Sequence, residues 1–230
     1  MHQMTRRAML RDGLSGSLAS VLFGVTALRA QAQAPGPNIS NARPSGAALR
    51  AALDFRAQNP AFSAMHSCYA LVDFTQPSRA DRFFILSAND SAILLATRTA
   101  HGKGSDLDAD GMAQIFSNDV NSLCSSVGAY QAGSEYQGKH GRSLRLRGLT
   151  RSASNAETRA IVLHSTQKNA SAHYVSDAYL QNAGLGRRIG RSDGCFVVDV
   201  PVLDAVIEQL KDGALLYAWG GPAWRDDRLA

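Results

Sequence analysis

Seven short runs of apolar and β-branched residues, each closed by turn formers, constrain the fold of this chain most. They are Cys68–Phe74, Arg82–Ser87, Ala92–Thr97, Ser143–Arg147, Arg159–His164, Cys195–Val198 and Ala214–Ala218. Runs this short are strand-like rather than helical, and several of them in series argue a mainly β domain. Ser143-Leu144-Arg145-Leu146-Arg147 alternates cleanly, which sends its leucines to a core and its arginines to solvent. Ala88-Asn89-Asp90 suits a hairpin turn between two of the runs. Only three stretches read as helices. Ser45 caps the first, on which Leu49, Ala52 and Leu53 share a face. The second covers Ser176–Asn182 and ends at Gly184. The third runs from Pro201 to Lys211 with Val202, Leu203, Val206, Ile207 and Leu210 apolar and Gly213 behind it. Residues 101–142 are rich in Gly, Ser and Asn, carry little continuous hydrophobic pattern, and read as a long functional loop.

One run closes and another opens on a residue able to do chemistry. His164 closes Ala160-Ile161-Val162-Leu163, and 31 residues later Cys195 follows Gly194 in Gly190-Arg191-Ser192-Asp193-Gly194-Cys195-Phe196. A thiol attacks carbonyls as the thiolate and needs a base or a cation to form it. Gly194 permits a tight turn whose N–H groups can face an oxyanion. Spacing alone leaves a second reading open, since cysteine is among the most buried residue types and a strand-end histidine is often a satisfied polar group.

The motifs resemble the murein L,D-transpeptidases, enzymes of the YkuD-like fold with an S-x-G-C signature. Ser192-Xaa-Gly194-Cys195 carries the signature. The likeness extends through Ala100-His101-Gly102-Lys103-Gly104-Ser105, Phe116-Ser117-Asn118, Ser125–Tyr130, Tyr136–Leu144 and Arg159–His164, in order over residues 46 to about 220. It implies a β-sandwich-like catalytic domain with a few peripheral helices. It also implies a cysteine acyltransferase acting on peptidoglycan stem peptides, without a cofactor. Cys195 would form the thioester and His164 would serve as base. The backbone carbonyl of Ser165 would orient the ring, and the N–H groups of Gly194 and Cys195 would make the oxyanion hole. Arg191, Ser192, His101 and Tyr130 are the expected substrate-side residues. Two departures stand out: Val197 occupies the place where the signature commonly has an arginine, and Ser165 the place of a glycine. Arg191, or else Arg187 or Arg188, is therefore expected to bind the donor carboxylate. The same residues would also serve an L,D-carboxypeptidase or endopeptidase in which water replaces the amine. A wall-binding module with an idle site is the non-catalytic alternative.

The N-terminus reads as an export signal. Arg6 and Arg7 precede an apolar run from Leu14 to Leu28, followed by small-x-small sites at Ala30-Gln31-Ala32 and Ala32-Gln33-Ala34. The paired arginines point to the twin-arginine route. The run is about 15 residues, short of the ~20 a spanning helix needs, so no stable membrane insertion is expected after cleavage. Residues 1–32 form the signal, 33–45 a linker, 46–222 the catalytic domain and 223–230 a tail, which places the protein in the periplasm or otherwise outside the cytoplasm, at the cell wall. Of the chain's formal charge of +5, the signal holds +3 (Arg6, Arg7, Arg11 and Arg29 against Asp12), which leaves +2. A nucleic-acid partner is therefore not expected.

No metal is expected. Asp106, Asp108 and Asp110 alternate like a calcium loop, but Ser117 stands where the closing glutamate would be. His101, His140, His164 and Cys195 match no zinc spacing. Of the other cysteines, Cys68 is expected in the core as a small hydrophobe, and its pairing with Cys124 is disfavoured.

Overall fold

A computed structural model describes residues 41–62, 66–166, 174–181 and 188–230. The chain divides into two units, Met1–Ala34 and Pro35–Ala230. The first lies outside the described residues, and with it the export signal and its cleavage sites. No helix among the described residues is long and apolar enough to cross a membrane.

The domain is mainly β, as the short runs predict. Among the described residues eight strands form one mixed sheet: β1 (Cys68–Asp73), β2 (Phe83–Ser87), β3 (Ile93–Thr97), β4 (Gly128–Gly138), β5 (Gly141–Gly148), β6 (Val162–Ser165), β7 (Phe196–Val198) and β8 (Leu215–Trp219). Their order is β3-β2-β1-β8-β4-β5-β6-β7. The pairs β1·β8 and β6·β7 are parallel and the others antiparallel. Every residue of β1 is buried, because both its faces are covered. Cys68, Ala70 and Val72 join Leu203, Val206, Ile207 and Leu210 of helix α3 (Val200–Leu210) in the main core. Tyr69 and Leu71 meet Ala48, Ala51, Ala52 and Phe55 of helix α1 (Gly46–Gln58) on the other side. Helix α2 (Asp177–Leu180) is a single turn capped by Ser176; Gly184, expected to end it, lies outside the described residues.

The sheet folds over itself. The Phe196 ring lies 5.4 Å from that of Tyr130 and 6.1 Å from that of Phe74. In a flat sheet at about 4.8 Å per strand, β7 would stand roughly 14 Å from β4 and farther still from β1. Twist and curl bring the far strands face to face around a common core, giving the sandwich-like form. The two edges are then sewn together. Beyond β3 the chain continues past Ala100 and His101, where Ala100 N–H donates to Val197 O at 3.0 Å and Ser192 N–H to His101 O at 2.8 Å. Lys103 N–H donates to Ser192 O at 2.8 Å. Cys195 thus sits on the seam of a nearly closed sheet, where backbone bonds hold it from both sides.

Three details differ from the sequence reading. Helix α1 keeps its Ser45 cap, at 3.2 Å from Ala48 N–H, but it buries Ala48, Ala51, Ala52 and Phe55 and leaves Leu53 exposed. Ala52 and Leu49 of the expected face do pack against this cluster, so Leu53 alone departs from it, and the small alanines let the helix approach the sheet closely. Strand β4, the longest, lies inside the stretch read as a loop. Only its first residues and Ala132 are buried, while Gly133–Gly138 is a solvated ribbon with a bulge between Ala132 and Glu135. Its pairing with β5 and β8 makes it a strand, not its hydrophobicity. Residues 223–230, read as a tail, run back along the domain: Arg151 N–H donates to Arg228 O and Ala230 N–H to Leu149 O.

Candidate active site

Parallel pairing of β6 with β7 places His164 beside Val197. Residues two apart share a sheet face, so Cys195 projects to the face that His164 occupies. Cys195 packs there beside Val197, Ala100, Val175, Ile189 and Tyr174. His164 is buried and its Nδ1 lies 2.7 Å from the Ser165 carbonyl oxygen. A carbonyl only accepts, so Nδ1 carries the proton and Nε2 keeps its lone pair. Burial above all, with His140 and Lys139 nearby, holds the His164 pKa down at about 4. The Ser165 hydroxyl donates to Val198 O at 2.7 Å, tying the two strands at this level.

The Cys195 thiol donates to Ala160 O at 3.7 Å. Burial raises its pKa, opposed in part by a hydrogen bond from the Val162 backbone and by the charges of Arg159 and Lys139; Asp193 acts with the burial. At rest the pair is therefore thiol and neutral imidazole. Among the described residues no hydrogen bond joins them.

Ser192 organises the turn. Its hydroxyl donates to Cys195 O at 2.8 Å and accepts from Gly194 N–H at 3.1 Å. That N–H, expected in the oxyanion hole, is therefore engaged in this state. Gly194 is required for another reason: its φ is +118°, and a Cβ would lie 2.6 Å from Cys124 O and 3.0 Å from Arg159 Nη2.

Two of the residues expected on the substrate side, His101 and Tyr130, are fully buried. The Tyr130 hydroxyl bonds Ser126 Oγ at 2.6 Å and Ser126 O at 2.8 Å. Around His101, Arg82 Nη2 lies 2.7 Å from Nδ1, and Asp106 Oδ2 lies 3.0 Å from Nε2. Guanidinium only donates, so Nδ1 accepts and Nε2–H serves the carboxylate. Burial first, then the Arg82 charge, holds His101 neutral with a pKa of about 3. Arg82 is itself buried and also donates to Thr99 O and Gln76 O. His101 thus braces the seam from inside. Arg191 gives its guanidinium to the carbonyls of Asp106 and Lys103. Arg188 is partly buried, and Arg187 lies outside the described residues.

Two residues near the site, Arg159 and His140, are given no part in it by the sequence. Arg159 donates to Ser117 O at 2.9 Å, to Ser126 Oγ at 3.3 Å and to Cys124 O. The His140 ring stacks on that of His164, centroids 4.1 Å apart and planes 16° apart. Both stand in motifs that carry the resemblance, but nothing local marks either as a neighbour of Cys195 and His164. Carboxylate oxygens of Asp106, Asp108 and Asp110 do gather within 4.8 Å of one another. Asp106 already accepts from His101 and from the N–H groups of Asp110 and Gly111. All three cysteines are free; Cys68 is in the main core, as expected.

The domain is mainly β, with a cysteine at its seam and a histidine on the neighbouring strand. The model of the L,D-transpeptidase catalytic domain matches residues 43–219, and the chain belongs to that family. Neither a search of curated proteins nor one of solved structures returns a match.

Proposed function

We propose that the protein is a cysteine L,D-transpeptidase acting on peptidoglycan stem peptides outside the cytoplasm, with Cys195 as nucleophile and His164 as base. The observation that carries this reading is His164 itself, its Nδ1–H fixed on Ser165 O and its Nε2 in no hydrogen bond among the described residues, on the sheet face that presents Cys195. His164 Nε2 takes the thiol proton as Sγ attacks the carbonyl joining a diamino acid to a terminal D-alanine. The tetrahedral intermediate collapses, His164 returns the proton to the leaving amine, and D-alanine departs, leaving a thioester on Cys195. An amine from a second stem attacks that thioester, gives its proton to His164, and regenerates the thiol. Backbone N–H groups at the 194–195 turn stabilise the oxyanion once Gly194 N–H releases Ser192 Oγ. Because thiol and imidazole are both neutral at rest, the proton moves as the carbonyl arrives.

The test is incubation of the purified domain with a disaccharide-tetrapeptide, followed by mass spectrometry. Cross-linked dimer with loss of D-alanine is expected, together with a thioester on the Cys195 peptide, and Cys195→Ser should give neither. Tripeptide alone would assign hydrolysis. An unchanged tetrapeptide with no adduct would leave the module reading.

A further inference from the structure

The cations around the reacting pair are nearly all committed. Arg191 and Arg159 are bound to backbone carbonyls. Lys103 pairs with Asp193 at 2.9 Å. Arg142 is shared among Glu135, Asp204 and Glu208. Lys139 differs: it is exposed, and among the described residues it is in no ion pair.

Its place is set by the β4–β5 hairpin. Gly138 pairs with Gly141, leaving Lys139 and His140 as the two residues at the tip. The tip folds back toward β6, since the ring of His140 lies flat on that of His164. Beneath it is a cavity of about 590 Å³ lined by Lys139, His140, Arg142, Ser165, Thr166 and Leu203, among others. Ser165 is the residue whose carbonyl holds the base, so the cavity adjoins His164 through both its backbone support and its stacked neighbour. The Lys139 charge also bears on both partners, favouring the Cys195 thiolate and disfavouring the His164 imidazolium.

We propose that Lys139, at the mouth of this cavity and next to the His140 ring stacked on His164, binds a carboxylate of the acyl donor. This deepens the proposed function and rests on it for the donor's identity. A stem peptide carries free carboxylates near the bond that breaks. Val197 offers none of the charge that an arginine at its position would, and Arg191 is bound to carbonyls. A flexible ammonium serves as a point charge for such a group without the fixed geometry of a guanidinium fork. The His140 ring forms the wall between the anchored carboxylate and the base, so anchoring the donor sets its approach to His164.

The experiment separates the subsite from the reaction. Alkylation of Cys195 by anionic iodoacetate and by neutral iodoacetamide is followed at pH 8.5, with the adduct located by peptide mass. The ratio of the two rates reports attraction of a carboxylate to the thiolate and needs no turnover. Lys139→Gln should lower that ratio on the order of three- to tenfold, as expected for removal of one unit charge at close range in a partly solvated site. Lys139→Arg should hold it within about twofold. An unchanged ratio in Lys139→Gln, or an equal fall in Arg191→Gln, would overturn the assignment. With the tetrapeptide, Lys139→Gln should raise KM, and Lys139→Arg should restore it. A ratio that falls as expected while the wild type turns over no stem peptide would keep the subsite and sink the transpeptidase reading.

Discussion

Replacing Gly194 by alanine tests whether the turn that presents the thiol is held rigidly. Two costs add. The backbone stands at φ +118°, outside the region open to side chains, which costs about 1–3 kcal/mol. The new Cβ would also lie 2.6 Å from Cys124 O, well inside ordinary contact, with Arg159 Nη2 and Ile161 Cδ1 each at 3.0 Å. Cys124 O cannot simply retreat, because Arg159 donates to it, and a bond to a charged donor contributes about 1.5–3 kcal/mol. The sum is about 2.5–6 kcal/mol, which for a domain this size lowers Tm by roughly 5–24 °C. Gly141→Ala is the internal control: its φ is +78° but nothing lies within 4 Å of the added carbon, so it carries the backbone cost alone. Thermal melts of both variants measure the difference, and alkylation of Cys195 shows whether the thiol has moved. If Gly194→Ala melts no lower than Gly141→Ala, the turn yields and the rigid-clasp argument is wrong.

Other outcomes follow from the same geometry. His164 and His101 have folded pKa values of about 4 and about 3, below the ordinary value near 6.5. The unfolded chain therefore binds more protons, and stability present above pH 6.5 is lost as pH falls from there toward 4. Urea unfolding should show on the order of 2 kcal/mol lost per histidine between pH 7.5 and pH 5, and a flat profile over that window would contradict both assignments. His164→Ala should slow formation of the Cys195 thioester by about 10²–10⁴, with folding intact by circular dichroism; a smaller effect would remove the base from the mechanism. Arg6→Lys with Arg7→Lys should block export, read as loss of the mature form from a periplasmic fraction, and normal accumulation would exclude the twin-arginine route.

Much of this protein is legible in one dimension. β1 and β5 declare themselves through unbroken or alternating apolar residues, because a strand's burial follows from its own side chains. Helix α3 does the same, with Leu203, Val206, Ile207 and Leu210 at helical spacing. Gly194 and Cys195 are marked by residue type, since a positive φ and a thiol each admit few substitutes. What the tertiary structure decided is the set of relations between distant segments. Strand β4 is polar along half its length and exists through its ladders to β5 and β8. His101 and Tyr130, polar and inside the motifs that carry the resemblance, read as substrate-side residues, yet each has buried partners that satisfy it: Arg82 and Asp106 for one, Ser126 for the other. The Arg191 charge was evident, but not the carbonyls of Lys103 and Asp106 that occupy it. Nor does anything in Lys139-His140 reveal that the hairpin tip lands on His164. Side-chain pattern determines which face of an element is buried; which charges remain free to meet a substrate depends on partners that only the closed sheet brings within hydrogen-bonding distance.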